Sequence, residues 1–192
     1  MSEDPWLVVG LGNPGPRYAT TRHNAGAMVV DLLADRLRER WSAPKGKRAE
    51  VVETRVDGVR TILAKPTSYM NESGGPVKGL LQWFKVTPER LVVVHDVLDV
   101  DLGRLRLKRG GGAGGHNGLR SIDQALGTKD YLRVRVGVGR PPGRQDPADY
   151  VLEPFAARER AEVGVVLEEA ADATTALLTE TLEVVQNRVH PA

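Results

Sequence analysis

The sequence predicts an α/β protein, a single-domain three-layer αβα sandwich in which a twisted mixed β-sheet is flanked by helices. Three observations carry this expectation. Short apolar runs at Trp6 to Val9 and Leu91 to Val94 read as strands buried on both faces. Segments of helical period alternate with them along the chain. At 192 residues the chain has the length of one ordinary domain with a substantial core, and it contains no internal repeat or low-complexity segment to suggest otherwise.

In chain order, Trp6 to Val9 is a strand that ends in the turn-forming Gly10-Leu11-Gly12-Asn13-Pro14-Gly15. From Asn24 to about Arg40, Met28, Val29, Leu32, Leu33 and Leu37 recur at helical spacing. Ser42 to Arg48 is a basic loop, and Glu50 to Val56 and Val59 to Ala64 read as a hairpin around Asp57-Gly58. Lys65-Pro66 ends that hairpin, and Thr67 to Gly75 leads to a helix from about Pro76 to Lys85 with Val77, Leu80, Leu81 and Phe84 on one face. Leu91 to Val94 is a second central strand that delivers His95-Asp96 at its end. Leu105 to Lys108 is a short strand, Leu119 to Leu126 a helix, and Leu132 to Val138 an alternating strand that puts Arg133 and Arg135 on one face. Arg140 to Pro147 is a loop. Ala156 to about Thr179 and Leu182 to Asn187 are helical, and these C-terminal helices, from about residue 156, are expected to cover the cleft.

Composition narrows the function classes. The chain is 41% hydrophobic and 27% charged, a globular balance. Its net charge is only +2, but the cations cluster: Lys45, Lys47 and Arg48, then Arg104, Arg106, Lys108 and Arg109, then Arg133, Arg135, Arg140 and Arg144. Such clustering points to a polyanionic partner more than the total does. The absence of cysteine excludes disulfides, thiolate nucleophiles and cysteine zinc sites. The opening MSEDPW lacks the basic and apolar regions of a signal peptide, and no run approaches the length of a membrane span, so the expected location is the cytoplasm and no membrane partner is expected.

The densest signal is Gly110 to Gly118, GGGAGGHNG, in which six of nine positions are glycine around the pair His116-Asn117. Glycines at this density let a backbone take positive φ or approach a ligand closely. A second glycine pattern, Gly10, Gly12 and Gly15, matches G-x-G-x-x-G after a strand, yet it does not open into a helix. The acids at the right distance, Asp31 and Asp35, fall inside a helix, so a dinucleotide site is disfavoured. Three of the four histidines precede a polar amide or acid at element ends: His23-Asn24, His95-Asp96 and His116-Asn117. There is no G-x-S-x-G elbow, no H-E-x-x-H and no phosphate-binding G-x-x-x-x-G-K-[ST], and Asp96, Asp99 and Asp101 lack metal-loop spacing. What remains is water activated by a histidine, with a carboxylate to orient the ring and asparagines to hold a carbonyl.

GLGNPG followed by YATTRHNAG, SYMNESGG, HDVLD and GGGAGGHNG, in that order over most of the chain, resembles the bacterial peptidyl-tRNA hydrolase family. The resemblance implies hydrolysis of the ester between a peptide and the terminal ribose of tRNA, by a monomer that needs no cofactor or metal. By the same resemblance His23 is the general base, Asp96 the carboxylate behind it, and Asn13 the neighbour that orients substrate. Asn71 and Asn117 would hydrogen-bond the peptide backbone, with Met70 as an apolar wall and His116 positioning the glycine loop. Tyr18 falls in the matched first loop on the substrate side, without an assigned chemical role. Lys108 and Arg135 would clamp a tRNA phosphate. Two positions depart from the family pattern: Val97 stands where glutamate is usual, and Arg109 where an apolar residue is common. A binding module of the same fold without turnover is the alternative, and turnover itself separates the two.

Overall fold

The computed structural model describes residues 4–190. Strand β1 (Trp6–Gly10) leads through a loop and the 3-10 turn Arg22–Asn24 into helix α1 (Ala25–Arg36). The hairpin β2 (Ala49–Val56) and β3 (Val59–Pro66) turns on Asp57 and Gly58, both at positive φ, as an Asp-Gly turn requires. Then come α2 (Gly74–Phe84), β4 (Leu91–Val97), β5 (Leu105–Arg109), α3 (Asn117–Leu126) and β6 (Leu132–Gly137). The chain continues through α4 (Pro147–Val151), α5 (Arg160–Leu177) and α6 (Leu182–Val189).

The six strands form one sheet in the order β2-β3-β1-β4-β6-β5. β3, β1, β4 and β6 are parallel neighbours, and β2 and β5 run antiparallel at the two edges. The two-residue alternation of strands divides the core in two. Val8, Val92, Val94, Val134 and Val136 pack with α1 and α5 on one face. Leu7, Val9, Leu91 and Val93 pack with α2 and α3 on the other. The three-layer sandwich with a mixed sheet is thus the observed architecture.

Three elements differ from the sequence reading. His95 and Asp96 lie inside β4, fully paired with β6, because the ladder continues to Val97 although the apolar run stops at Val94. A one-turn helix, α4, closes the stretch read as a loop; Asp146 caps it by accepting from the Ala148 amide and Pro147 starts it. The helices beyond residue 156 do not cover the cleft described below. α5 lies against α1 and the sheet, where Val163, Val166, Ala170, Ala171 and Leu177 are buried. α6 covers the outer edge of β5, where Gln186 donates to the Leu107 carbonyl and the Leu107 amide donates to His190. An exposed edge with free N–H and C=O groups is thereby satisfied, which is the use this chain makes of its last helix.

One close approach sets the position of α1. A side chain at Gly26 would place its Cβ 2.0 Å from the Val94 carbonyl oxygen, so the start of α1 rests on the backbone of β4. Gly26→Ala is therefore expected to lower unfolding free energy by roughly 1–3 kcal/mol, the usual cost of overpacking. Urea denaturation checks this, and an unchanged midpoint would mean that α1 sits less tightly than described.

Candidate functional site

Along β4, Asp96 has the parity of Val92 and Val94 and therefore emerges on the α1 side of the sheet. The 3-10 turn ahead of α1 delivers His23 to it: His23 Nδ1 lies 3.0 and 2.9 Å from the two carboxylate oxygens. His116, the residue capping α3, reaches the same carboxylate from the other side, with Nε2 2.8 Å from Asp96 Oδ1. One buried carboxylate thus serves two imidazoles, whose ring centres are 4.9 Å apart.

The hydrogen bonds fix the proton positions. His116 Nδ1 accepts from the Gly118 and Leu119 amides at 3.1 and 3.3 Å, so its proton is on Nε2 and is donated to Asp96. Burial on its own would raise the Asp96 pKa, but the charges and hydrogen bonds of His23 and His116 outweigh it and hold the group well below the usual carboxylate range. Asp96 is then an anion that can only accept, and His23 must donate through Nδ1. Its Nε2 carries a lone pair, has no protein partner among the described residues, and is left to the cleft. For His23, burial opposes the charged form, and Asp96 overcomes it, so the pKa is raised above its ordinary 6.5.

The cleft has a volume of about 580 Å³ and collects almost every residue singled out in the sequence: Asn13, Tyr18, His23, Met70, Asn71, Asp96, His116 and Asn117. Asn13 is fixed by its neighbours. Its backbone is held by the Asn24 side chain, which accepts from the Asn13 amide at 2.9 Å and donates to its carbonyl at 3.0 Å. Its own Oδ1 accepts from the Met70 amide at 2.7 Å, so Nδ2 is the donor that remains. Asn71 and Asn117 are exposed and make no side-chain hydrogen bond among the described residues. Met70 is buried as a cleft wall, and Tyr18 stands edge-on to the exposed Tyr69 at the rim, with ring centres 6.5 Å apart. Opposite them, Val97, Leu98, Val151 and Leu152 make an apolar wall. In the glycine loop, Gly114 and Gly115 take φ of 60 and 82°, the left-handed region, and carry the chain over the cleft mouth to His116.

The ligand atoms of His23, Asp96 and His116 lie within 4.8 Å of one another, close enough for a metal ion. The hydrogen bonds oppose that use. A metal on His116 Nε2 would displace a proton that cannot move to Nδ1, because two amides already donate there.

Lys108 and Arg135 lie outside this cleft, on the α2/α3 face of β5 and β6. Arg135 sits beside His95 in the β4–β6 register, and Arg106 is opposite it on β5. Burial first, and then neighbouring arginines, lower the pKa of Arg135; for Lys108 burial comes first, followed by Arg135 and Arg133. Neither has a carboxylate partner among the described residues. Arg133, read as part of the same basic cluster, turns inward: it is fully buried, donates to the Gly112 carbonyl at 2.8 Å and pairs with Asp123 at 3.5 Å. It anchors the glycine loop instead of meeting solvent.

Asn24 was visible in the sequence only as the partner of His23 in a His-Asn pair. Arg22 and Tyr69 carried no signal, since nothing in composition or period marks an arginine that will be buried or a tyrosine at a rim. His95, fully buried, is held neutral: burial, and then the charge of His116, push its pKa down to about 3.

Comparison with known proteins places this geometry among relatives. The sequence model of the family described as peptidyl-tRNA hydrolase matches residues 7–192. The peptidyl-tRNA hydrolase of Frankia alni is 61% identical, covering 98% of this chain and 95% of that protein. That of Rhodococcus opacus is 60% identical, covering 99% of this chain and 100% of the relative. The crystal structure of peptidyl-tRNA hydrolase from Acinetobacter baumannii superposes with a TM-score of 0.92 at 32% identity, covering 100% of this chain and 97% of that one.

Proton NMR titration of the imidazoles checks the electrostatics. The His23 ring is expected to titrate with a midpoint above 6.5, and His95 to remain neutral until the pH nears about 3. A His23 midpoint below 6.5 would show that burial, not Asp96, governs the ring.

Proposed function

The chain belongs to the peptidyl-tRNA hydrolase family and hydrolyses peptidyl-tRNA; we propose that water is the direct nucleophile and that His23 is the base that activates it. The observation that carries this reading is the His23–Asp96 hydrogen bond, which commits Nδ1 and presents the lone pair of Nε2 to the cleft. His23 Nε2 takes a proton from water as its oxygen adds to the ester carbonyl. Asp96 stabilises the imidazolium that results. When the tetrahedral intermediate collapses, the ester C–O bond breaks and the ribose oxygen leaves with the proton from Nε2. The products are a free peptide acid and tRNA with its terminal hydroxyl restored.

The amides supply the rest. Asn13 Nδ2 is the donor whose orientation the Met70 contact fixes, and it is the group we assign to substrate orientation beside the base. Asn71 and Asn117, each able to donate and accept, hold the peptide backbone against the Met70 wall. A fixed donor aimed at a developing oxyanion typically contributes ~3 kcal/mol. Tyr18 belongs to the substrate side of the cleft, and His116 ties the Asp96 carboxylate to the end of the glycine loop, where α3 begins. Lys108 and Arg135, two cations without carboxylate partners among the described residues, are the phosphate clamp for the tRNA.

The reaction returns tRNA from abandoned peptidyl-tRNA to translation, and we place it in the cytoplasm and assign it to a monomer without cofactor. Among the described residues no helix is long and apolar enough to cross a membrane.

Replacing His23 by Ala is expected to abolish cleavage of an N-blocked aminoacyl-tRNA while leaving tRNA affinity nearly intact; undiminished turnover would remove His23 as the base. The pH dependence has a definite sign. The base works only when neutral, so kcat/KM falls as pH drops through the raised His23 pKa. Asp96→Asn removes the charge that raises it and leaves burial, which lowers it, so the acid limb shifts to lower pH. The plateau should fall roughly 10²–10⁴-fold as the ring loses its tautomer. A limb that stays in place would separate Asp96 from the base. For the clamp, neutralising Lys108 and Arg135 should weaken tRNA binding and flatten its logarithmic salt dependence by roughly 0.9 per lost phosphate contact. An unaltered slope would assign the phosphates elsewhere.

A further inference from the structure

Arg22 is buried to 4% relative exposure, one residue ahead of the base, and among the described residues none of its side-chain bonds serve the helix it precedes. All of them run to the segment 150–159. Its guanidinium lies 3.8 Å from the centre of the Tyr150 ring. Nη1 donates to the Tyr150 carbonyl at 3.0 Å, and Nη2 donates to Glu159 Oε1 at 2.9 Å. Glu153 Oε2 is 3.6 Å from Nη1. The main chain joins at the same place: the Arg22 amide donates to the Glu153 carbonyl at 3.0 Å, and Thr21 forms an isolated bridge with Pro154. Glu159 in turn accepts from the Ala156 amide, so the far end of the segment is tied to the same carboxylate.

α4 and the residue that follows it contribute Pro147, Ala148, Val151 and Leu152 to the cleft. α4 is too short to hold its own position, since a single helical turn is marginal without tertiary support. Two of its residues, Tyr150 and Val151, are buried, and the stretch before it carries the left-handed Gly139 and Gly143. The ion pairs and the stacked ring therefore give this wall its place.

We propose that Arg22 is a positioning residue that latches the α4 wall to the turn carrying His23, so that one three-residue turn sets the base, the wall and the first loop together. Arg22 reaches α4, His23 enters the cleft, and Asn24 holds Asn13. The latch acts on how the cleft grips the part of peptidyl-tRNA lying against Val151 and Leu152, not on the chemistry at His23. A guanidinium suits this position because it stacks and bonds in a fork at once, which an ammonium does not.

This inference rests on the proposed hydrolysis for its kinetic readout but has an independent structural one. Arg22→Lys and Glu159→Gln are assayed on peptidyl-tRNA and by amide hydrogen exchange. Glu159→Gln approaches the latch from the partner side, so the test survives if the Arg22 variant fails to fold. The expected result is KM raised roughly tenfold with kcat within about twofold. The acid limb of kcat should not move, because the His23–Asp96 bond is untouched. Exchange should accelerate at residues 150–153 and stay unchanged in β4. The double variant should be little worse than either single one, since both break the same contact.

Unchanged KM with protected 150–153 amides would overturn the latch. So would a displaced acid limb, which would mean that Arg22 acts through His23, or exchange rising uniformly with a lowered thermal midpoint, which would mean plain stability. If the unmodified protein failed to cleave peptidyl-tRNA, the function would fall, and the exchange pattern of Glu159→Gln would still decide the latch.

Discussion

A single buried carboxylate, Asp96, accepts hydrogen bonds from two histidines, and the cleft is arranged around that constraint. An anion out of water is costly unless its oxygens are occupied by charge-assisted or well-aligned donors. Here the donors come from separate elements: His23 from the turn before α1, and His116 from the cap of α3. Satisfying Asp96 therefore brings both helix starts to the end of β4. The bare backbone at Gly26 permits the approach of one, and the glycine loop permits the approach of the other.

The same arrangement separates two tasks. The cleft holds neutral amides, apolar walls and one ionised carboxylate, suited to an acyl group and its oxyanion. The cations stand on the neighbouring open face of β5 and β6. Arg135 lies beside His95, so the face carrying these cations and the strand that bears Asp96 share one ladder. Arg133 divides the two regions: it gives up contact with solvent to fasten the glycine loop to Asp123 and the sheet.

Much of this was legible in the sequence, because the cues are local. Apolar runs and the Asp-Gly turn mark the strands, and glycine density marks the loop that lines the cleft. Histidines beside amides or acids at element ends mark His23, Asp96, His116 and Asn117, and the family resemblance adds Asn13 and Asn71; all six line one cleft. What escaped depends on contacts between distant segments. An arginine in a row of basic residues looks solvated, and only the three-dimensional partners Asp123 and Gly112 turn Arg133 inward. Arg22 is found for the same reason only when Glu159, over a hundred positions away, is seen against it. α4 is too short for a period to announce it, so the sequence points to the longer helices beyond it as the cover of the cleft. In those helices the apolar stripes face α1 and the sheet instead.

The central claim is that Asp96 fixes His23 with its proton on Nδ1 and its lone pair on Nε2. The most direct measurement is the tautomer of the His23 ring, read from nitrogen-15 chemical shifts in the free protein at a pH above its titration midpoint. The account predicts a protonated Nδ1 and an unprotonated Nε2, with the pattern reversed or averaged in Asp96→Asn. A proton found on Nε2 in the unmodified protein would leave no base facing the cleft and would contradict the account.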